Sequence, residues 1–138
     1  MDREVSMRPT IVVINDDQAF LRIMVHLLAI GGYEMIPWLQ GATAHEVINQ
    51  TRPALVILDV RLQYPDEGLK VLELLRLDPA TRAIPVILCS ADPSFLAAKA
   101  QQLRTRGVAV LEKPFDLQEL LDAIAREIGP GVIDEVDG

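Results

Sequence analysis

The sequence predicts an α/β fold, a doubly wound five-stranded parallel sheet with five helices. Four short runs are apolar throughout: Ile11-Val12-Val13-Ile14, Leu55-Val56-Ile57-Leu58, Val86-Ile87-Leu88-Cys89 and, more weakly, Val108-Ala109-Val110-Leu111. They are rich in β-branched residues and do not alternate with polar ones, the pattern of strands covered on both faces in a parallel sheet. Segments with helical spacing separate them, and strand followed by helix repeats five times. Such alternation implies right-handed crossovers with helices on both faces.

Taken in order, the first strand leads into residues 17–30, where Phe20, Met24, Leu27 and Leu28 form one stripe. Tyr33-Glu34-Met35-Ile36-Pro37-Trp38 is the second strand. Its proline cannot donate to a ladder and suits a sheet edge or a strand end. A helix near residues 42–50 precedes the third strand at Leu55. Residues 67–77 then place Leu69, Leu72 and Leu75 three apart, a helix before the fourth strand. Residues 94–105 form the fourth helix, before the strand at Val108. The last helix is the clearest, with Leu117, Leu120, Leu121, Ile124 and Ile128 on one face. Asp116 with Glu119 three positions later is an aspartate form of the capping box, and Phe115 is placed to staple onto Leu120.

Composition sets bounds on function. The chain has 138 residues, with 20 acidic and 13 basic side chains and a net charge of −7. That length predicts one domain, at about 100–200 residues per domain. We place it at residues 9–129, between an N-terminal tail of residues 1–8 and an acidic tail of residues 130–138. The acidic balance and scattered arginines argue against direct nucleic-acid binding, which needs clustered cations. No apolar stretch approaches the roughly 20 residues of a membrane span. Met1-Asp2-Arg3-Glu4 does not begin a signal peptide. A cytoplasmic location is expected, and the lone Cys89 accords with a reducing compartment.

Doubly wound sheets place their sites at the carboxyl ends of the strands. Polar residues stand at those ends here: Asn15-Asp16-Asp17, Asp59, Ser90, and Glu112-Lys113-Pro114. Each has a plain structural reading on its own. Asp16 or Asp17 is a natural N-cap, Ser90 can cap the next helix, and Lys113 can be a solvated cation. Asp59 resists that treatment, because a carboxylate ending a buried run is expensive without partners. Together they converge as carboxylates, a hydroxyl and an ammonium.

Five segments, in this order and spacing, make the sequence resemble the receiver domain of bacterial two-component response regulators, over about residues 9–129. They are Ile11-Val12-Val13-Ile14-Asn15-Asp16-Asp17, Leu55-Val56-Ile57-Leu58-Asp59, Glu67-Gly68-Leu69, Pro85-Val86-Ile87-Leu88-Cys89-Ser90-Ala91 and Lys113-Pro114-Phe115. The chemotaxis regulator is a stand-alone example of that family. The resemblance implies a flavodoxin-like strand order 2-1-3-4-5. It implies that Asp59 accepts a phosphoryl group from a histidine kinase or phosphotransfer protein. Mg²⁺ would be held by Asp16, Asp59 and the main-chain carbonyl of Arg61. Ser90 would bond a phosphoryl oxygen, and Lys113 would pair with the phosphoryl group or, in its absence, with Asp59. Pro114 would follow a cis peptide bond. Such a domain catalyses only its own phosphorylation and dephosphorylation. It signals to a downstream protein, unknown here, most often through the fourth helix, fifth strand and fifth helix, roughly residues 94–128. A homodimer through that face is a further expectation.

Three departures from the family pattern stand out. Aligning Asn15-Asp16 with the usual acidic pair keeps the spacing to Gly32-Tyr33, whereas Asp16-Asp17 shifts it by one. In the first register, which we prefer, Asn15 replaces an acid that contacts Mg²⁺ through water, leaving a weak ligand and a weakened metal affinity. The loop after Asp59 is about one residue longer than usual and lacks the proline after Leu62; Arg61 there either shields the phosphoryl group or faces solvent. Val110 stands where many receivers carry an aromatic switch residue, so a signal has to run through Ser90, Ala91-Asp92-Pro93 and the helix that follows.

Two other readings are weighed. One is a phosphorylation-independent, receiver-like interaction module, favoured by Asn15 and Val110. The other is an aspartyl-nucleophile phosphatase, disfavoured because Arg61 stands where that chemistry needs an acid two residues after the nucleophile. With the last helix ending near Gly129-Pro130-Gly131, no DNA-binding output domain is expected after it. His26 and His45 are read as ordinary surface residues, and Trp38 as packing.

Overall fold

The computed structural model describes residues 7–133. The acids Asp134, Glu135 and Asp137 of the predicted tail, and residues 1–6 at the other end, lie outside the described residues. The elements are β1 (Thr10–Ile14), α1 (Gln18–Ile30), β2 (Glu34–Trp38), α2 (Ala44–Thr51), β3 (Leu55–Asp59), α3 (Glu67–Leu77), β4 (Val86–Ser90), α4 (Pro93–Thr105), β5 (Ala109–Glu112) and α5 (Leu117–Ile128). A 3₁₀ turn, Gly41–Thr43, leads into α2. The five strands are all parallel, in the order β2-β1-β3-β4-β5. This is the doubly wound architecture expected.

The continuous apolar strands follow from two-sided burial. In β1, Ile11 and Val13 face a layer with α1 and α5, built on Met24, Leu28, Leu120 and Ile124. Val12 and Ile14 face the other layer, with Ile48 of α2, Val71, Leu72 and Leu75 of α3, and Leu103 of α4. Strands β3 and β4 are divided in the same way, so neither face has room for a polar residue. Pro37 lies in β2, at the edge of the sheet, where a missing N–H costs least.

Local differences have local causes. Leu21, not Phe20 or Leu27, joins Met24 and Leu28 in the fully buried stripe of α1. Val71 adds to the leucines of α3. Asp17 lies just outside α1 as its N-cap, accepting from the N–H groups of Ala19 and Phe20. The fifth strand starts at Ala109, because the Val108 N–H is engaged by the Leu103 carbonyl at the end of α4. The predicted capping box on α5 is complete in both directions.

One glycine positions the site directly. A Cβ on Gly68 would stand 2.1 Å from the Asp59 carbonyl oxygen, so only glycine lets the first turn of α3 press against the end of β3. The Gly68 N–H donates to the Val60 carbonyl at 2.8 Å, fixing that approach.

Candidate functional site

The strand register brings the polar ends level. Ile14 lies beside Leu58, Asp59 beside Cys89, and Ser90 beside Glu112. Asn15, Asp16, Asp59, Arg61, Ser90 and Lys113 therefore line one depression of about 550 Å³ at the carboxyl edge of the sheet.

Asp59 is its centre, with a side chain only 12% exposed. Lys113 Nζ donates to its Oδ2 at 2.9 Å, and Asn15 Nδ2 donates to the same oxygen at 3.0 Å. Neither side chain engages Oδ1. Burial raises the Asp59 pKa above the usual carboxylate range. The hydrogen bond and charge of Lys113 and a backbone bond from Arg61 oppose that rise, and the charge of Asp16 adds to it. The site is thus centred on a carboxylate whose charge is partly offset.

Each supporting residue is held from its own element. Asn15 is 2% exposed, and its Oδ1 accepts the Asp17 N–H at 2.9 Å. That bond fixes which way the amide faces and leaves Nδ2 for Asp59. Lys113 sits over the Phe20 ring at 4.7 Å, and Phe20 in turn meets Phe115 edge-on, their centroids 6.3 Å apart. This explains why Phe20 stands apart from the buried stripe of α1. The Lys113 N–H donates to the Ser90 carbonyl, and the Lys113-Pro114 bond is cis. Ser90 is buried, and its Oγ accepts the Asp92 N–H at 3.0 Å. Asp92, rather than Ser90, caps α4, accepting from Ser94 and Phe95. Asp16 and Arg61 are exposed on the rim.

The donor set fits a hard, oxygen-seeking cation in part. Asp16 and Asp59 supply carboxylates, and the Arg61 carbonyl belongs to the same loop. Asn15, however, presents its N–H₂ rather than its oxygen to Asp59. Among the described residues no three His, Cys, Asp or Glu side chains gather as a metal cluster, so the loop carbonyl and water have to complete such a set.

The family model for the response regulator receiver domain matches residues 11–125. The chain belongs to the response regulator receiver family. It is 33% identical over 124 residues to the phosphate regulon transcriptional regulatory protein PhoB of Pseudomonas aeruginosa, covering 87% of this chain and 53% of that one. It is 28% identical over 125 residues to the polar-differentiation response regulator DivK of Brucella anthropi, covering 89% and 98%. A solved structure, the N-terminal domain of a response regulator receiver protein from Methanoculleus marisnigri, superposes with a TM-score of 0.69 at 33% identity, covering 88% of this chain and 96% of that one. This receiver spans about half the length of the transcriptional regulators it matches and nearly all of DivK.

Within the receiver, sequence reasoning missed several contacts. The Asn15 amide bonds Asp59 directly, and Phe20 supports Lys113. His45, read as an ordinary surface residue, pairs through Nε2 with Asp78 Oδ2 at 2.8 Å, where Asn49 also donates at 2.9 Å, tying α2 to the end of α3. His26 is exposed, as expected. Trp38 packs against the core and donates from Nε1 to Thr43 Oγ1. Cys89 is fully buried, and its thiol is pushed up to about 12 by burial, so it is core and not chemistry. No helix among the described residues is long and apolar enough to cross a membrane.

Proposed function

We propose that this receiver takes a phosphoryl group on Asp59 from a histidine kinase or phosphotransfer protein. The observation that supports the reading best is the pair of donors on Asp59 Oδ2, which holds the carboxylate in place while neither side chain engages Oδ1. A carboxylate oxygen attacks phosphorus, the P–N bond of the phosphohistidine breaks, and the imidazole leaves and takes up a proton. The product is an acyl phosphate.

Catalysis here is positioning and charge neutralisation. Lys113, already a neighbour of Asp59, neutralises charge on the phosphoryl oxygens. Ser90 gives one of them a hydroxyl hydrogen bond. Asp16, Asp59 and the Arg61 carbonyl would hold Mg²⁺, with Asn15 a weak contributor through water. When bound, the ion offsets carboxylate repulsion and draws charge from the transferring group.

The signal leaves through the β4–α4 connection. When Ser90 turns to the phosphoryl group, the Asp92 N–H loses its acceptor and the start of α4 rearranges. Val110, partly buried, offers no ring to move. A downstream protein, or a second copy, then reads the α4–β5–α5 face. A kinase donor implies a cytoplasmic location.

A second reading, a phosphorylation-independent module, is favoured by the Asn15 bond, which satisfies Asp59 with no phosphoryl group present. The test is intact mass after acetyl phosphate and Mg²⁺. Wild type is expected to gain one phosphoryl group and Asp59→Asn none. An unchanged wild-type mass, with no response to beryllofluoride, selects the module.

A further inference from the structure

α3 and α4 lie side by side on one face of the sheet, and a groove of about 500 Å³ stays open between them. Its floor is leucine. Leu72 and Leu103 are buried at its base, while Leu77 at the end of α3 is 77% exposed.

Charge around this floor runs against the rest of the chain. Arg76, Lys99 and Arg106 line the groove beside a single acid, Glu73, in a chain with 20 acids and 13 bases. Arg76 is anchored to the carbonyls of Arg82 and Ile84. Burial, and then the charge of Arg106, lower its pKa, so two guanidinium groups repel each other here. The side chains of Lys99 and Arg106 have no hydrogen bond or ion pair among the described residues.

We propose that the α3–α4 groove docks an acidic segment of a partner protein that carries apolar side chains. Such a segment removes exposed leucine from water and supplies the missing counter-charge, the two features that mark this surface. Nucleic acid satisfies the charge but not the leucine floor. A flat anionic membrane meets Leu77 but does not reach Leu72 and Leu103 at the base. The groove is a different flank of α4 from the side that packs on β5, so it adds to the α4–β5–α5 face.

The test is an NMR titration of the labelled chain with a synthetic amphipathic peptide of about sixteen residues, leucine at i, i+3, i+4 and i+7 and Glu or Asp elsewhere. Amide shifts are expected at Leu72, Leu77, Lys99, Gln102 and Arg106. Binding should fall about tenfold or more in Lys99→Glu/Arg106→Glu, weaken with salt, and vanish when lysine replaces the acids of the peptide. Leu77→Asp, on the other helix and at an exposed position, is a second variant expected to weaken binding. The proposal is overturned by shifts confined to α1 or to the α4–β5–α5 face, by equal affinity of the variants, or by binding of phosphatidylglycerol vesicles without binding of the acidic peptide. The titration needs neither a phosphoryl group nor a metal, so its failure leaves the reading of Asp59 untouched.

Discussion

Replacing Asn15 by aspartate tests the electrostatic logic of the site. Asn15 Oδ1 is taken by the Asp17 N–H at 2.9 Å, so an aspartate keeping that bond turns its second oxygen to where Nδ2 now stands, 3.0 Å from Asp59 Oδ2. A hydrogen bond to a charged group, worth about 1.5–3 kcal/mol, is lost. In its place two carboxylates about 3 Å apart repel by about 5 kcal/mol at an effective dielectric near 20. Rotation or protonation of the pair relieves much of that. The metal-free variant should lose about 3 kcal/mol near neutral pH, or roughly 6–12 °C in Tm for a domain of this size. Acid should shrink the loss, since protonating one carboxyl restores a donor. In the Mg²⁺ site proposed above the sign should reverse. One added negative charge at about 5 Å from a divalent cation in a water-like dielectric would be worth about 1.7 kcal/mol, or about 17-fold in affinity. Thermal melts with chelator, and Mg²⁺ titrations followed by Trp38 fluorescence or calorimetry, read both effects. If the variant melted with wild type in chelator and its Mg²⁺ midpoint did not move, the charge argument for Asn15 would be wrong.

Three more outcomes follow from particular contacts. Asp78 has a lowered pKa, caused first by the Ala80 N–H and then by His45. A carboxylate held low adds stability above its unfolded value of about 4, and that stability is lost as pH falls through the folded value. Asp78→Ala should therefore flatten the acid limb of a melting-temperature profile, and an unchanged limb would assign it to other groups. The buried Cys89 thiol, pushed up to about 12, should resist alkylation at neutral pH until the chain unfolds; rapid native-state labelling would contradict the burial. Asp116→Ala removes the cap and half of the capping box on α5, which should cost about 1 kcal/mol, read as a lower urea midpoint with an unchanged slope.

The fold was legible because two-sided burial leaves a mark in one dimension. A strand such as Leu55–Leu58 has no polar position to spare, and a chain that repeats such runs between helical segments has few alternatives. Helix faces were read less sharply. Phe20 and Leu21 are adjacent and both apolar, and spacing alone assigned the core to Phe20. The structure buries Leu21 and leaves Phe20 partly buried against the same core, under Lys113, a contact across 93 residues of sequence that no local period encodes. The His45–Asp78 pair is hidden for the same reason. At the site, sequence placed Asn15 at the end of β1 but did not give the direction of its amide. That direction depends on one backbone N–H, at Asp17, and a terminal amide has the same composition either way round.

The missing charge at Asn15 bears on more than metal affinity. In a site with a second acid at that position, the empty state is repulsive, and a cation or phosphoryl group is welcome partly because it ends the repulsion. Here the amide and Lys113 both donate to Asp59 Oδ2, so the empty state is already satisfied, and any ligand of Asp59 has to compete with a bond from within the chain. On the proposed reading of Asp59 as nucleophile, competition of this kind should favour the unoccupied form without disabling attack, because Oδ1 is left by both side chains. A receiver so arranged should respond to a strong phosphodonor and relax readily. Among the other acids of the described residues, Asp16 is the one whose charge raises the pKa of Asp59. On the proposed reading of Asp59 as phosphoacceptor, the response should depend on whether the group 3.0 Å from its Oδ2 is a neutral donor or a carboxylate, more than on the net charge of the protein.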